Sequence, residues 1–226
     1  MRAVLFDLDD TLIDQRSAMR AAVVPWAAEQ GVTGAGVMDR WDAIAERHYA
    51  RYQRRECTFQ EQRRARVRDL LGLDLSDEAA DAVFARYLDR YEAGWTLLPG
   101  AVAALTRVRA AGLRVGILTN GDEDQQRRKL DASGLSRRVD VLVASSALPA
   151  GKPDPRAFAA AVSRLRVAAQ EVLMVGDSLE KDVRGALAAG LQALLFDPDG
   201  RHTDTDVPRI TSLDQLLPSL RAVSRT

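Results

Sequence analysis

Asp7 and Asp9 stand two residues apart in the run Val4-Leu5-Phe6-Asp7-Leu8-Asp9-Asp10-Thr11. On an extended backbone, side chains at i and i+2 point to one side. Two carboxylates so placed repel each other unless a cation lies nearby. Mg²⁺, a hard ion taking carboxylate oxygens at about 2.0–2.1 Å, suits such a pair; a solvated acidic turn would carry the same residues. Thr119-Asn120-Gly121 offers a hydroxyl, an amide and loop N–H groups, which can hold phosphate oxygens or form an ordinary Asn-Gly turn. Lys152, in Gly151-Lys152-Pro153-Asp154-Pro155, is a point charge suited to phosphate or carboxylate, or else an exposed loop lysine. Gly176-Asp177-Ser178, with Asp182 beyond it, adds a backbone open to close approach and two carboxylates. Asp177, Ser178 or Asp182 can also cap a following helix.

These residues need a frame that brings them together. Five short apolar, β-branched runs, Ala3–Phe6, Leu113–Leu118, Val139–Ala144, Val172–Val175 and Ala193–Phe196, have the length of strands buried on both faces of a parallel sheet. Helical patterns fall between the last four: Gln125–Ala132, Pro155–Leu165 and Asp182–Ala189, with Val102–Ala111 before the second run. The alternation predicts an α/β fold, a doubly wound, Rossmann-like parallel sheet of about five strands. In such sheets ligands bind outside the carboxyl ends of the strands, where all four clusters fall. From Arg16 to Glu92 the alternation breaks into four helical patterns, Ser17–Gln30, Val37–Arg54, Thr58–Leu71 and Asp77–Tyr91. This predicts an inserted helical domain over residues 16–94, the sheet domain comprising residues 1–15 and 95–226. Ser212–Leu220 reads as a closing helix.

Composition excludes several classes. The 226 residues hold 32 basic and 32 acidic side chains, a balance that argues against a general binder of nucleic acid polymers or membrane surfaces. The single Cys57 cannot form an intrachain disulfide, and with His48 and His202 it leaves too few ligands for a structural zinc site. The apolar run at the N-terminus stops at Asp7, too short for a signal peptide or a membrane span, so the chain reads as cytoplasmic. Lysine occurs three times (Lys129, Lys152 and Lys181) and asparagine once, at Asn120. Such scarcity raises interest in each, provided that position agrees.

Taken jointly, paired Asp, Thr-Asn, Lys and Asp at four successive strand ends resemble the haloacid-dehalogenase-like hydrolase superfamily. The resemblance covers residues 1–15 and 95–226, and the helical insert looks like the cap domain of that superfamily. The spellings Thr119-Asn120-Gly121, Gly151-Lys152-Pro153 and Met174-Val175-Gly176-Asp177-Ser178 look closest to its nucleotidase and N-acylneuraminate-9-phosphatase-like branch. The resemblance implies that Asp7 is the nucleophile, forming an aspartyl-phosphate. It makes Asp9 the general acid and base, lending its backbone carbonyl to Mg²⁺. Thr119 and Asn120 bind the phosphoryl oxygens, Lys152 neutralises the phosphate, and Asp177 ligates the metal with Asp182 in support.

The expected function is therefore a Mg²⁺-dependent phosphatase acting on a small phosphomonoester, a nucleotide or sugar phosphate, as monomer or homodimer. The rivals are a sugar-phosphate mutase, which uses the same two aspartates, a dehalogenase, which the presence of Asp9 disfavours, and a non-catalytic binding protein of the same fold. In the cap, Trp41, His48 and Arg51 are candidates for reading the leaving group, although aromatics at helical spacing also form cores. Nine arginines against five acids between residues 40 and 70 make either a solvated face of ion pairs or a basic wall for an anion. An active-site lysine is chosen for function rather than stability, so replacing Lys152 should cost the fold little.

Overall fold

β1 (Ala3–Phe6) is buried along its whole length, as its unbroken apolar run requires. In a computed structural model that describes residues 1–216, it occupies the centre of a six-stranded parallel sheet of order β3-β2-β1-β4-β5-β6. β2 (Arg114–Thr119) and β4 (Val172–Gly176) flank it, with Phe6 opposite Ile117 on one side and Val175 on the other. β3 (Val141–Ala144) and β5 (Gln192–Phe196) lie outside these. The order reverses at β1, because the chain adds strands first to one side of it and then to the other. Such a switch point opens a crevice at the carboxyl edge.

The sixth strand corrects the expected number of about five. β6 (Arg209–Ile210) has two residues and pairs with Leu195 and Phe196. A strand this short, beginning just after Pro208, is invisible to hydropathy. Of the expected helix Ser212–Leu220, the described part holds a 3₁₀ turn at Leu213–Gln215 followed by a helical Leu216, and the remainder lies outside the described residues.

By its contacts the chain divides into two units, Met1–Asp14 with Thr96–Thr226, and Gln15–Trp95. In the first, α5 (Ala101–Ala110), α6 (Glu123–Ala132) and α7 (Pro155–Leu165) connect the strands. Phe158, Ala161 and Leu165 of α7 join Leu5, Leu118, Val143, Met174 and Leu195 in one fully buried cluster, each large side chain contributing about 1.5–3 kcal/mol by burial. Asp154 caps α7 by accepting from the Arg156 N–H, and Pro155 fills the first turn, where its missing N–H costs nothing. After β4, Ser178 caps a wide π turn (Leu179–Arg184) that runs into α8 (Gly185–Ala188). The helix thus begins three residues before the expected Asp182, which lies inside the turn with no exposed surface.

The second unit is four helices: α1 (Gln15–Glu29), α2 (Val37–Gln53), α3 (Phe59–Leu71) and α4 (Asp77–Ala93). Its core is aromatic. Trp41 meets Trp26 edge-on at 5.2 Å and Tyr87 at 5.0 Å between centroids. Thr58 and Glu61 form a reciprocal capping box that starts α3, and Gly72, in the left-handed conformation, ends it. Much of the arginine excess is consumed in ion pairs: Arg64 with Asp77 and Asp81, Arg68 with Asp77, Arg47 with Asp69. Arg66 instead lies over the Trp41 ring at 4.3 Å.

Candidate active site

The carboxyl ends of β1, β2 and β4 and the loop before α7 carry the candidate residues. β1 delivers Asp7, whose N–H donates to Val175 O at 2.9 Å and so ties the first loop to the neighbouring strand. Leu8 turns into the core with no exposed surface. Thr11, also fully buried, accepts from the Asp177 N–H at 3.1 Å, a second tie between the β1 and β4 loops.

Lys152 is the hub. Its Nζ lies 2.8 Å from Asp7 Oδ1 and 2.5 Å from Asp182 Oδ1, with only 2% of the side chain exposed. The loop that carries it is held by Asn120, whose amide donates to the Lys152 carbonyl and whose Oδ1 accepts from the Lys152 N–H, both at 2.8 Å. Satisfying both the N–H and the C=O of one residue takes a donor and an acceptor on one side chain, which an amide supplies. The bond across the Lys152-Pro153 step is cis.

Asp7, Asp177 and Asp182 place one oxygen each within 4.8 Å of one another. Burial pushes the Asp7 carboxyl well above the usual carboxylate range; Lys152 opposes this, and Asp182 and Asp177 reinforce it. Burial by itself would lower the Lys152 ammonium, yet Asp182 and Asp7 outweigh it and hold the group above its ordinary value. Three carboxylates gathered around one ammonium make the cluster acidic, a setting that favours a divalent cation. The donors are hard oxygens, without His or Cys in the cluster, so the set fits Mg²⁺ rather than zinc. Asp182 spends one oxygen on Lys152 and the other on the Ser178 N–H at 3.0 Å. It therefore braces the cluster, leaving Asp7 and Asp177 better placed as direct ligands.

Gly176 has a steric reason to be glycine. A Cβ there would lie 2.3 Å from Asp182 Oδ2 and 2.4 Å from its Cγ. Gly176→Ala must displace the Asp182 carboxyl, and Lys152 with it. We expect a loss of about 1–3 kcal/mol, as for other overpacked interiors, together with a severe loss of any activity that uses this cluster. Thermal melts and turnover of the variant measure both; an unchanged melt with full turnover would mean that the carboxyl moves aside freely.

The structure brings Asp7, Lys152, Asp177 and Asp182 together, and pins the Lys152 loop to Asn120. The carboxylate of Asp9 is not in the Asp7/Asp177/Asp182 group. It is held by Lys129, at 2.5 Å, and by Gln126, at 2.9 Å. Gln126 also donates to Thr119 Oγ1 at 3.0 Å. Sequence reasoning missed Lys129 and Gln126, although lysine scarcity was a usable signal.

The three helical-unit candidates differ. Trp41 is corrected: with 0% exposure inside the aromatic core it has no surface to present to a ligand. His48 is buried too, its Nε2 2.6 Å from Asp69 Oδ2. Arg51 is half-exposed and faces Glu56 at 3.6 Å. The turn around Asp197 is structural: its carboxylate accepts from the N–H groups of Arg201 and His202.

With this geometry in hand, the haloacid dehalogenase-like hydrolase model matches residues 1–190. The chain belongs to that family. Among curated proteins, it is 32% identical to the phosphoserine phosphatase of Thermus thermophilus, over 91% of this chain and 92% of that one. It is 33% identical to the phosphoglycolate phosphatase of Rhodospirillum rubrum, over 86% and 79%. A solved member, YfnB from Bacillus subtilis bound to magnesium, superposes with a TM-score of 0.82 at 25% identity, covering 97% of this chain and 98% of that one. The family is one of hydrolases, and both curated relatives bear the names of phosphomonoester phosphatases.

Proposed function

We propose that this chain is a Mg²⁺-dependent phosphatase that hydrolyses a small soluble phosphomonoester in two displacements through an aspartyl-phosphate on Asp7. The observation that carries the reading is the Asp7–Lys152–Asp182 chain beside Asp177, a cluster of three carboxylates around one buried ammonium at the sheet's switch point. Mg²⁺, held by Asp7, Asp177 and the Asp9 backbone carbonyl with Asp182 in support, would supply Lewis-acid stabilisation of charge on the transferring group.

The rest is done by side chains. Lys152 lowers the repulsion between the phosphate dianion and the Asp7 carboxylate. Thr119 and the Asn120 backbone receive the phosphoryl oxygens. An Asp7 oxygen attacks phosphorus, the bond from phosphorus to the leaving oxygen breaks, and Asp9 gives that oxygen a proton. Water then attacks the aspartyl-phosphate, Asp9 takes its proton, the bond from phosphorus to Asp7 breaks, and inorganic phosphate leaves.

The names of the two relatives favour a small carboxylated phosphate ester as substrate, whereas the motif spellings favour a nucleotide or sugar phosphate. Arg51 remains a candidate for reading the leaving group, and the protein acts in the cytoplasm as a monomer or homodimer. Among the described residues no helix is long and apolar enough to cross a membrane. The test is hydrolysis of p-nitrophenyl phosphate with and without a chelator, followed by a panel of phosphoserine, phosphoglycolate, hexose phosphates and nucleoside monophosphates. We expect chelation to abolish activity and added Mg²⁺ to restore it. Full activity in extensively chelated enzyme would refute the metal role, and no hydrolysis of any ester would refute the reading.

A further inference from the structure

Lys129 lies on α6, the helix that follows the Thr119-Asn120-Gly121 turn, and its side chain is 1% exposed. Burying a lysine strips its ammonium of water, which is tolerated only when a partner replaces the solvent. Asp9 is one such partner, 2.5 Å away. One turn earlier on the same face, Gln126 is 2% exposed and donates through Nε2 both to Asp9 Oδ2 and to Thr119 Oγ1. With Asp9 ionised, the opposite orientation would set the amide oxygen against the carboxylate, acceptor against acceptor. The cost of this orientation is visible, because Gln126 Oε1 is buried without a donor. Space for the amide comes from Gly121, where a Cβ would lie 2.4 Å from Gln126 Nε2. A buried lysine and a buried amide, beside a glycine whose Cβ would push that amide aside, thus converge on the Asp9 carboxylate.

We propose that Lys129 and Gln126 are positioning residues for Asp9, fixing both oxygens of its carboxylate and, through Thr119, tying its place to that of the phosphoryl group. The inference rests on the reading of Asp9 as acid and base given above. A carboxyl group that gives a proton to one oxygen as the acid and later takes one from water as the carboxylate must be placed within hydrogen-bond reach of both. A free side chain in three staggered rotamers would spend most of its time elsewhere. A misplacement of about 1 Å costs about 10²-fold in rate.

A double-mutant cycle isolates this action. Lys129→Met, Asp9→Asn and the pair are assayed with one alkyl phosphomonoester found by the panel, beside thermal melts. We expect Asp9→Asn to lower kcat by about 10²–10⁴-fold, and Lys129→Met by about 10²-fold with KM changed little. In the Asp9→Asn background the second substitution should lower kcat by less than about threefold, since there is no acid left to position. Should Lys129→Met melt below the assay temperature, Lys129→Gln, whose amide keeps one donor, carries the same comparison. Losses that multiply in the double variant, or a Lys129 variant with wild-type kcat, overturn the positioning role while leaving the phosphatase reading intact. An Asp9→Asn enzyme with wild-type kcat overturns the acid–base reading itself, and the inference with it.

Discussion

Asp7→Asn is expected to abolish turnover, by on the order of 10⁴-fold or more, while leaving the metal-free protein at least as stable as the wild type. The rate effect follows from chemistry: a neutral carboxamide oxygen is a far poorer nucleophile towards phosphorus than a carboxylate. The stability effect follows from the charge balance. Asp7 is 9% exposed and shares its surroundings with Asp182 and Asp177, and burial holds its carboxyl well above the ordinary range. A raised acid contributes its full stability only below the unfolded value of about 3.9, and loses it as pH rises through the folded one. At neutral pH the wild type therefore carries a penalty that asparagine does not, and the asparagine Oδ1 can still accept from Lys152. Melts at pH 7 in chelator should show the variant equal or higher, and added Mg²⁺ should raise its melting temperature less than that of the wild type. Substantial turnover by a folded, undeamidated variant would remove Asp7 from the nucleophile's role.

How much of this was legible beforehand depends on what kind of signal each part leaves. β1 to β5 announce themselves because strands buried on both faces must be continuously apolar; β6 has only Arg209 and Ile210 and leaves none. Asp7 and Asp177 could be read from their place after such strands. Their proximity required β1 and β4 to be neighbours, a fact of topology that the pairing of Phe6 with Val175 supplies. The face of α6 was illegible for a physical reason. Its buried residues are Gln126, Lys129 and Leu130, and apolar periodicity cannot find a buried face made mostly of polar groups. Trp41 illustrates the converse. An aromatic on a helix can be a ligand platform or a core residue, and only the placement of Trp26, Phe84 and Tyr87 around it decides.

Lys152→Ala is expected to lower kcat by about 10²–10³-fold, the usual effect of removing one preorganised electrostatic stabiliser, and here the structure reverses an expectation about the fold. A lysine in a Pro-bounded loop reads as replaceable at little cost to stability. Its side chain is instead buried between two acids, one of which, Asp182, has no exposed surface at all. Removing the ammonium strands that carboxylate, and breaking a buried pair from one side costs about 3–5 kcal/mol. Asp182 keeps the Ser178 N–H, which limits the loss without replacing the charge. Mg²⁺ should recover part of the stability, because the uncovered negative charge in the variant is greater than in the wild type. Lys152→Arg should keep more of the stability than Lys152→Ala yet remain impaired in turnover. Its planar guanidinium is too broad to meet Asp7 at 2.8 Å and Asp182 at 2.5 Å from one nitrogen. Melting temperatures with and without Mg²⁺, set beside kcat/KM for both variants, separate the two effects. An alanine variant that melts like the wild type would show that the Lys152–Asp182 pair adds no net stability. One that also turns over normally would return Lys152 to the status of a loop lysine.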